Sequence, residues 1–455
     1  MASARTGPFH KVVIGLAGLW LGLTLLKFGN PVIFEGLLPP PSNLNEIIHF
    51  GWPAEWGWIG SICLGVAALA LIRLPRGVPM WLLLAPAVWL CWQLVASFDS
   101  VNPAVSRLTV IHFAATVGWF CFGLMACHSV RSSKVMWVGL ALGLCLVISS
   151  GFDQQFGGLD SQRAYAEKFL RGELPPDEQA AAEAQGFRRV LESPLGRHKL
   201  MSPRIYGTLF YPNTLAGVLI LLTPGVLAAV HLGFREASGV TRNMLIGLIG
   251  GGAALCLVWS GSKAGWLIGM MMTGWLLFMS AAIPAKWRRW VLVVVIISGL
   301  GGLVVRDLDY FKRGARSVGA RADYWQAAAA AFVDNPLTGT GPGTFADTYR
   351  ERKPDAAEMA RLAHNDFIQQ ASDSGAIGFF AYALWVVGSM CWLFIHSRNT
   401  DRLFLMTWLG LAGWAMHSLG EFGLYIPAVA WPAFFLLGLL LRDAANPIDT
   451  PERSG

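Results

Sequence analysis

Apolar residues in this chain come in long blocks, and polar residues collect between them. Twelve blocks stand out, at 12–28, 56–73, 79–97, 108–127, 135–152, 213–232, 243–260, 264–283, 289–305, 376–396, 402–419 and 425–441. A helix needs about 20 residues to cross the hydrocarbon core of a bilayer, and these blocks approach that length. The tightest join lies between 243–260 and 264–283, where only Ser260-Gly261-Ser262-Lys263 intervenes. The pattern predicts an all-α polytopic membrane protein of about twelve transmembrane helices. Two long polar stretches, 153–205 and 306–375, carry short helices of their own.

Composition agrees. Of 455 residues, 54% are hydrophobic and 14% charged, with 20 Trp and 51 Gly, whereas soluble domains carry about 25% charged residues. The first block, Val12 to Leu26, leads into Phe28-Gly29-Asn30-Pro31 without a small-residue cleavage site. It reads as a retained span, not a signal peptide.

Charge sets the orientation. Short cytoplasmic loops are rich in Lys and Arg. With the N-terminus inside, the inner segments carry Arg5 and Lys11; Arg73 and Arg76; Arg131 and Lys134; Arg235 and Arg242; Lys286, Arg288 and Arg289; Arg398 and Arg402; and Arg442 and Arg453. The short outer loops hold little beyond Lys27, Arg107 and Lys263, beside Glu35, Glu46, Glu55, Asp99 and Glu421. Both termini are therefore expected in the cytoplasm. The chain divides into helices one to five (1–152), a first outer loop (153–205), helices six to nine (206–305), a second outer loop (306–375), helices ten to twelve (376–442) and a cytoplasmic tail (443–455). The two outer loops hold 17 of the 35 basic residues. Long loops cross regardless of charge, so the outer face is expected to meet something anionic.

Within the first loop the pattern predicts a helix from Asp177 to Leu191. Within the second it predicts one from Ala320 to Val333, stopped by Asn335-Pro336, then a turn at Gly339-Thr340-Gly341-Pro342-Gly343. A further helix is expected from Asp355 toward Ser374, with His364 inside it.

Four cationic or titratable residues fall on the outer side: Arg204, Lys263, Arg321 and His364. Guanidinium groups bind phosphate bidentately and could stabilise a departing diphosphate. Histidine can take a proton from a hydroxyl near neutral pH. Each also has an ordinary use, as a headgroup anchor, a solvated charge or a cap. Glu421 is an ionisable group near a membrane cavity, or simply interfacial. Asn213 reads most simply as the cap of the sixth span, after Pro212. Trp325 could face a sugar. His417 reads as packed; His198, His231 and His396 are weaker candidates. No metal constellation is visible: Asp307-Leu308-Asp309 abuts Lys312-Arg313. The seven cysteines lack a Cys-x-x-Cys spacing, so neither zinc nor a disulfide framework is supported.

Four stretches in order resemble the O-antigen ligase and polymerase family. They are Arg204-Ile205-Tyr206-Gly207-Thr208 with Pro212-Asn213-Thr214-Leu215-Ala216; Ser260-Gly261-Ser262-Lys263-Ala264-Gly265; Arg321 to Trp325 with Asn335-Pro336-Leu337-Thr338-Gly339-Thr340-Gly341; and His364-Asn365-Asp366-Phe367 leading to Asp373-Ser374-Gly375-Ala376-Ile377-Gly378. The likeness covers about 200–440. It implies a membrane fold of the GT-C type and metal-independent, inverting transfer of a glycan from undecaprenyl diphosphate, without cofactor. Arg204 and Arg321 would hold the diphosphate, and His364 would activate the acceptor hydroxyl. Lys263, Tyr206, Asn213, Trp325, Asn365, Asp366 and Glu421 are the candidate substrate contacts. Where the family usually has Ser-x-Ser-Arg, this chain has Lys263, which keeps the charge and loses the planar fork.

The expected protein is a glycosyltransferase of the inner membrane with its site on the periplasmic face. Lipid A core as acceptor would make it a ligase, a second lipid-linked glycan a polymerase, and a protein Ser or Thr an oligosaccharyltransferase. Ligase comes first. No nucleic-acid partner is expected. The rival classes are an anion transporter and a non-catalytic scaffold. A transporter calls for ionisable or broken segments at mid-span, and here the polar groups gather in the loops.

Overall fold

The computed structural model describes residues 7–34, 40–184, 187–192, 196, 200–280, 283–306, 316–355, 357–396 and 401–445. Among them there is no strand. The helices are α1 (Pro8–Lys27), α2 (Leu44–His49), α3 (Ala54–Leu69), α4 (Met80–Phe98), α5 (Pro103–Ala126), α6 (Lys134–Asp153), α7 (Leu159–Arg171), α8 (Pro176–Ala184), α9 (Phe187–Glu192), α10 (Pro212–Gly233), α11 (Gly239–Trp259), α12 (Lys263–Met279), α13 (Ala285–Arg306), α14 (Arg316–Asp334), α15 (Phe345–Arg352), α16 (Asp366–Ala383), α17 (Ser389–His396), α18 (Arg402–His417) and α19 (Pro427–Ala445).

Each apolar block read from the sequence overlaps a helix. Among the described residues, eight helices are long and apolar enough to cross a membrane, counting α6 with α7 and α16 with α17 as continuous; α3 and α12 are apolar but shorter. The chain is a polytopic helical membrane protein. Local chemistry starts the helices: Pro8, Pro103 and Pro212 sit in first turns, where a missing N–H costs nothing. Side chains of Asn102, Ser262 and Asp401 cap their helices by accepting from backbone N–H groups.

Packing is graded from centre to rim. In α19, 78% of the apolar window is buried; in α11 only 17% is. The central helix α19 lies against α5, while α1 pairs with α6, α10 with α18, α16 with α4, and α12 with α13. Rim helices show bare apolar side chains, such as Leu248 on α11 and Ile297 on α13. In water that surface would be unfavourable; against lipid tails it is matched.

The polar stretches differ from expectation in two places. The described residues of the helix predicted over Asp177–Leu191 are helical, as α8 and α9, but α7, which was not predicted, precedes them as an extension of α6 across a bulge at Gln154–Gly158. Apolar contacts of Phe169, Ala182 and Leu191 join the three into a small core. Of the helix predicted over Asp355–Ser374 only the second half forms: after α15 ends at Arg352, the described chain to Asn365 is irregular, and α16 begins at Asp366 and breaks its helical backbone at Ser374 and Gly375. Pro354 stands two residues past the end of α15, and Asn365 fixes the start of α16 by capping it, its Oδ1 accepting from Phe367 N and Ile368 N at 3.0 Å each. Glu35, His198, Asp307, Asp309, Lys312 and Arg313 lie outside the described residues.

Candidate functional site

Helix termini build the site. The turn between α18 and α19 carries Glu421, whose side chain is 7% exposed. Three groups converge on its carboxylate. Arg321 Nη2 of α14 donates to Oε1 at 2.5 Å, Asn213 Nδ2 of α10 donates to Oε1 at 2.5 Å, and His364 Nδ1 lies 3.2 Å from Oε2. Arg204 joins through Asn213, donating from Nη2 to Oδ1 at 2.6 Å, and from Nε to Ser260 O at 2.7 Å. Both donors from α14 and the His364 turn stay partly exposed, Arg321 by 24% and His364 by 29%. Arg321 Nε is buried and has no hydrogen-bond partner among the described residues.

Electrostatics make Glu421 an anion. Burial works to raise its carboxyl, but His364, Arg321 and His417 around it hold it down to about 2. Opposite charges within hydrogen-bond reach favour the ionised form enough to outweigh desolvation.

His364 has an unusual backbone. Among the described residues it is the one non-glycine with positive φ, at 53°, a conformation that persists only where surroundings enforce it. Those surroundings are specific. Asn365 Nδ2 donates to Leu419 O at 2.9 Å, Asp366 N to Ser418 O at 2.9 Å, and Leu424 N to Asp366 Oδ2 at 3.1 Å. Together they stitch the start of α16 onto the turn that bears Glu421. The imidazole then lies stacked on Tyr324, 5.8 Å between ring centres, and edge-on to Phe422 at 4.7 Å.

The Arg204 loop is fixed from behind. Gln154, at the end of α6, accepts from Tyr206 N at 2.9 Å and Gly207 N at 2.8 Å, and donates to Gly207 O at 2.8 Å. Arg163 of α7 holds Leu200 O and Ser202 O.

The structure thus brings together Arg204, Asn213, Arg321, His364 and Glu421. Asn213 is not the cap of its helix: Tyr211 occupies that position, and the Asn213 amide bridges Arg204 to Glu421. Asn365 and Asp366 serve as cap and stitch, and Asp366 is fully buried. Trp325 donates its indole N–H to Ala363 O at 3.0 Å while staying 37% exposed. Tyr206 gives its hydroxyl to Gln162, 2.7 Å away. Lys263 opens α12 just after the turn whose Ser260 carbonyl Arg204 grips. His417 is packed as expected, 4% exposed with Nε2 unpartnered among the described residues, yet it also bears on Glu421.

Residues 248–383 match the family model described as O-antigen ligase. Over that segment the chain is similar to the O-antigen ligase family. The matched segment contains Lys263, Arg321 and His364, while Arg204, Asn213 and Glu421 reach the cluster from outside it. The chain is also 25% identical over 167 residues to an uncharacterized protein of Haemophilus influenzae, covering 32% of this chain and 41% of that protein. It thus spans about two-fifths of the length of the relative it matches. The match and the fold together give a polytopic helical membrane protein with an O-antigen ligase-like segment.

Proposed function

We propose that the protein transfers a glycan from undecaprenyl diphosphate to an acceptor hydroxyl at the periplasmic face of the inner membrane, as an O-antigen ligase acting on lipid A core. Twelve spans with both termini cytoplasmic complete this reading. The observation that carries it is the convergence of His364, Arg321 and, through Asn213, Arg204 on the single buried carboxylate of Glu421. With Nδ1–H donating to Glu421, Nε2 of His364 is left as the proton acceptor.

The acceptor hydroxyl gives its proton to His364 Nε2 while its oxygen attacks the anomeric carbon. The bond from that carbon to the diphosphate oxygen breaks, and the electron pair leaves with the polyprenyl diphosphate. Attack opposite the leaving group inverts the anomeric centre. Arg321, with an uncommitted Nε, and Arg204 meet the charge that develops on the leaving group. Two guanidinium groups take the part a divalent ion plays elsewhere, so chelation by EDTA should leave turnover intact.

The test is transfer by purified protein from an undecaprenyl-diphosphate glycan to a panel of acceptors. Transfer to lipid A core supports the ligase; transfer only to a second lipid-linked glycan, or only to a Ser- or Thr-bearing peptide, replaces it with polymerase or oligosaccharyltransferase. His364→Ala should lower turnover by roughly 10²–10⁴-fold and spare donor binding. Near-normal transfer by that variant would remove His364 as the base.

A further inference from the structure

Beneath the site lies a second polar cluster that the reaction as written does not use. Gln369, in the first turns of α16, is fully buried. Its Oε1 accepts from Ala363 N at 2.6 Å, and its Nε2 donates to Asp373 one helical turn on, 3.0 Å from each carboxylate oxygen. Asp373, also fully buried, takes two further donors on Oδ2: Gly343 N at 2.7 Å and the Tyr425 hydroxyl at 2.8 Å. The peptide groups on both sides of Ala363 are therefore tied, the N–H by Gln369 and the carbonyl by Trp325. His364 follows immediately, in its left-handed conformation.

We infer that Gln369 is a positioning residue for transfer, holding the turn that presents His364, with Asp373 as its anchor. The chemistry of the pair sets the direction. Gly343 and Tyr425 already donate to Asp373, so the carboxylate acts as an acceptor and Gln369 must turn its NH₂ toward it. The amide has one acceptor left, and that acceptor faces Ala363 N–H. A carboxylate that met only the helix would not orient Gln369. This one also collects Gly343 from the glycine turn and Tyr425 from the α18–α19 connection, so three segments of chain fix one amide. A buried network of this kind specifies geometry when every member is satisfied. Its product is the left-handed turn at His364, with Nδ1 on Glu421.

The inference rests on His364 as base, so His364→Ala is measured beside the variants in the full-length protein with the same donor and acceptor. Gln369→Leu removes both contacts and should lower kcat roughly 10- to 100-fold, the scale of a small displacement of a reacting group, with donor KM and donor binding unchanged. Gln369→Glu should recover most of that loss, because a proton shared with Asp373 replaces the Nε2 hydrogen while the other oxygen still accepts from Ala363. If Gln369→Leu does not survive purification, Gln369→Met against Gln369→Glu makes the same comparison. An inactive His364→Ala together with wild-type kcat in the Leu or Met variant overturns the positioning role alone. Parallel loss of kcat and donor binding in the Leu, Met and Glu variants overturns it too, as general damage. Transfer retained by His364→Ala strikes instead at the base.

Discussion

Glu421 is buried, yet it holds a charge because three donors surround it. Its carboxyl is held at about 2 against an ordinary 4.5. A depressed carboxyl contributes stability in full above its unfolded value and loses it as pH falls toward the folded one. The melting temperature of wild type over Glu421→Gln should therefore show a constant advantage above about pH 5, shrinking from about 4.5 toward about 2; an advantage that grew in acid would contradict the assignment. The same variant should lose transfer on the order of 10- to 100-fold, since groups that orient a working histidine contribute about that much. Arg204, Arg321 and His364 were legible in the sequence because their chemistry is intrinsic to the side chain. The carboxylate at their centre was legible only as an ionisable residue at a helix end, because its meaning depends on what α10, α14 and the His364 turn bring to it. Asn213 was misread for the same reason: a polar residue after a proline looks like a cap, and only the fold turns its amide toward Arg204. Gln369 and Asp373 were not legible, since at the polar start of α16 they stand among Asp366, Gln370, Ser372 and Ser374.

Helices in lipid gain little from the hydrophobic effect between them, so close backbone approach at small residues carries much of their association. This bundle uses that device openly. Gly18 and Gly22 of α1 meet Gly139 and Gly143 of α6: a Cβ on Gly22 would lie 2.2 Å from Gly139 O, and one on Gly139 would lie 2.2 Å from the Gly18 carbonyl carbon. Between α5 and α19, Gly123 meets Phe435 O and Gly438 meets Phe120 O at similar range. Gly139→Leu should therefore force α1 off α6 and destabilise the protein by about 1–3 kcal/mol or more, seen as a lower melting temperature in detergent. Gly247→Leu on α11, where a Cβ meets open space, should leave it unchanged. Because α6 leads directly into Gln154, which holds the Arg204 loop, Gly139→Leu should weaken transfer as well; equal stability of the two variants would refute the contact. The membrane helices were readable because an apolar run of that length is a local signal. So were α8, α9 and α14, which lie where the polar stretches predicted helix; the irregular approach to His364 was not, since it is set by bonds to a turn far along the chain.

At the scale of the whole molecule the charges separate by end. The site gathers at the start of α10, α12, α16 and α19 and the end of α11 and α18. At the other end of α18, Asp401 pairs with Arg131, and Arg442 reaches the carbonyls of Arg73 and Leu74. Helix α18 has 16 residues, which span about 24 Å at 1.5 Å per residue, most of a hydrocarbon core about 30 Å thick. Basic residues flanking short loops mark the cytoplasmic side, so the Arg131 end should face inward and the Glu421 end outward. Single cysteines in a background with the native seven replaced by Ala would test this. Lys168→Cys lies on α7, whose Arg163 holds the chain leading to Arg204, and Arg235→Cys lies in the exposed turn between α10 and α11. A membrane-impermeant maleimide added to spheroplasts should label the first and reach the second only after permeabilisation. The reverse pattern would put His364 and its two arginines on the cytoplasmic face, where a glycan already carried across on its lipid could not reach them, and the proposed donor would have to be abandoned whatever the chemistry of the cluster.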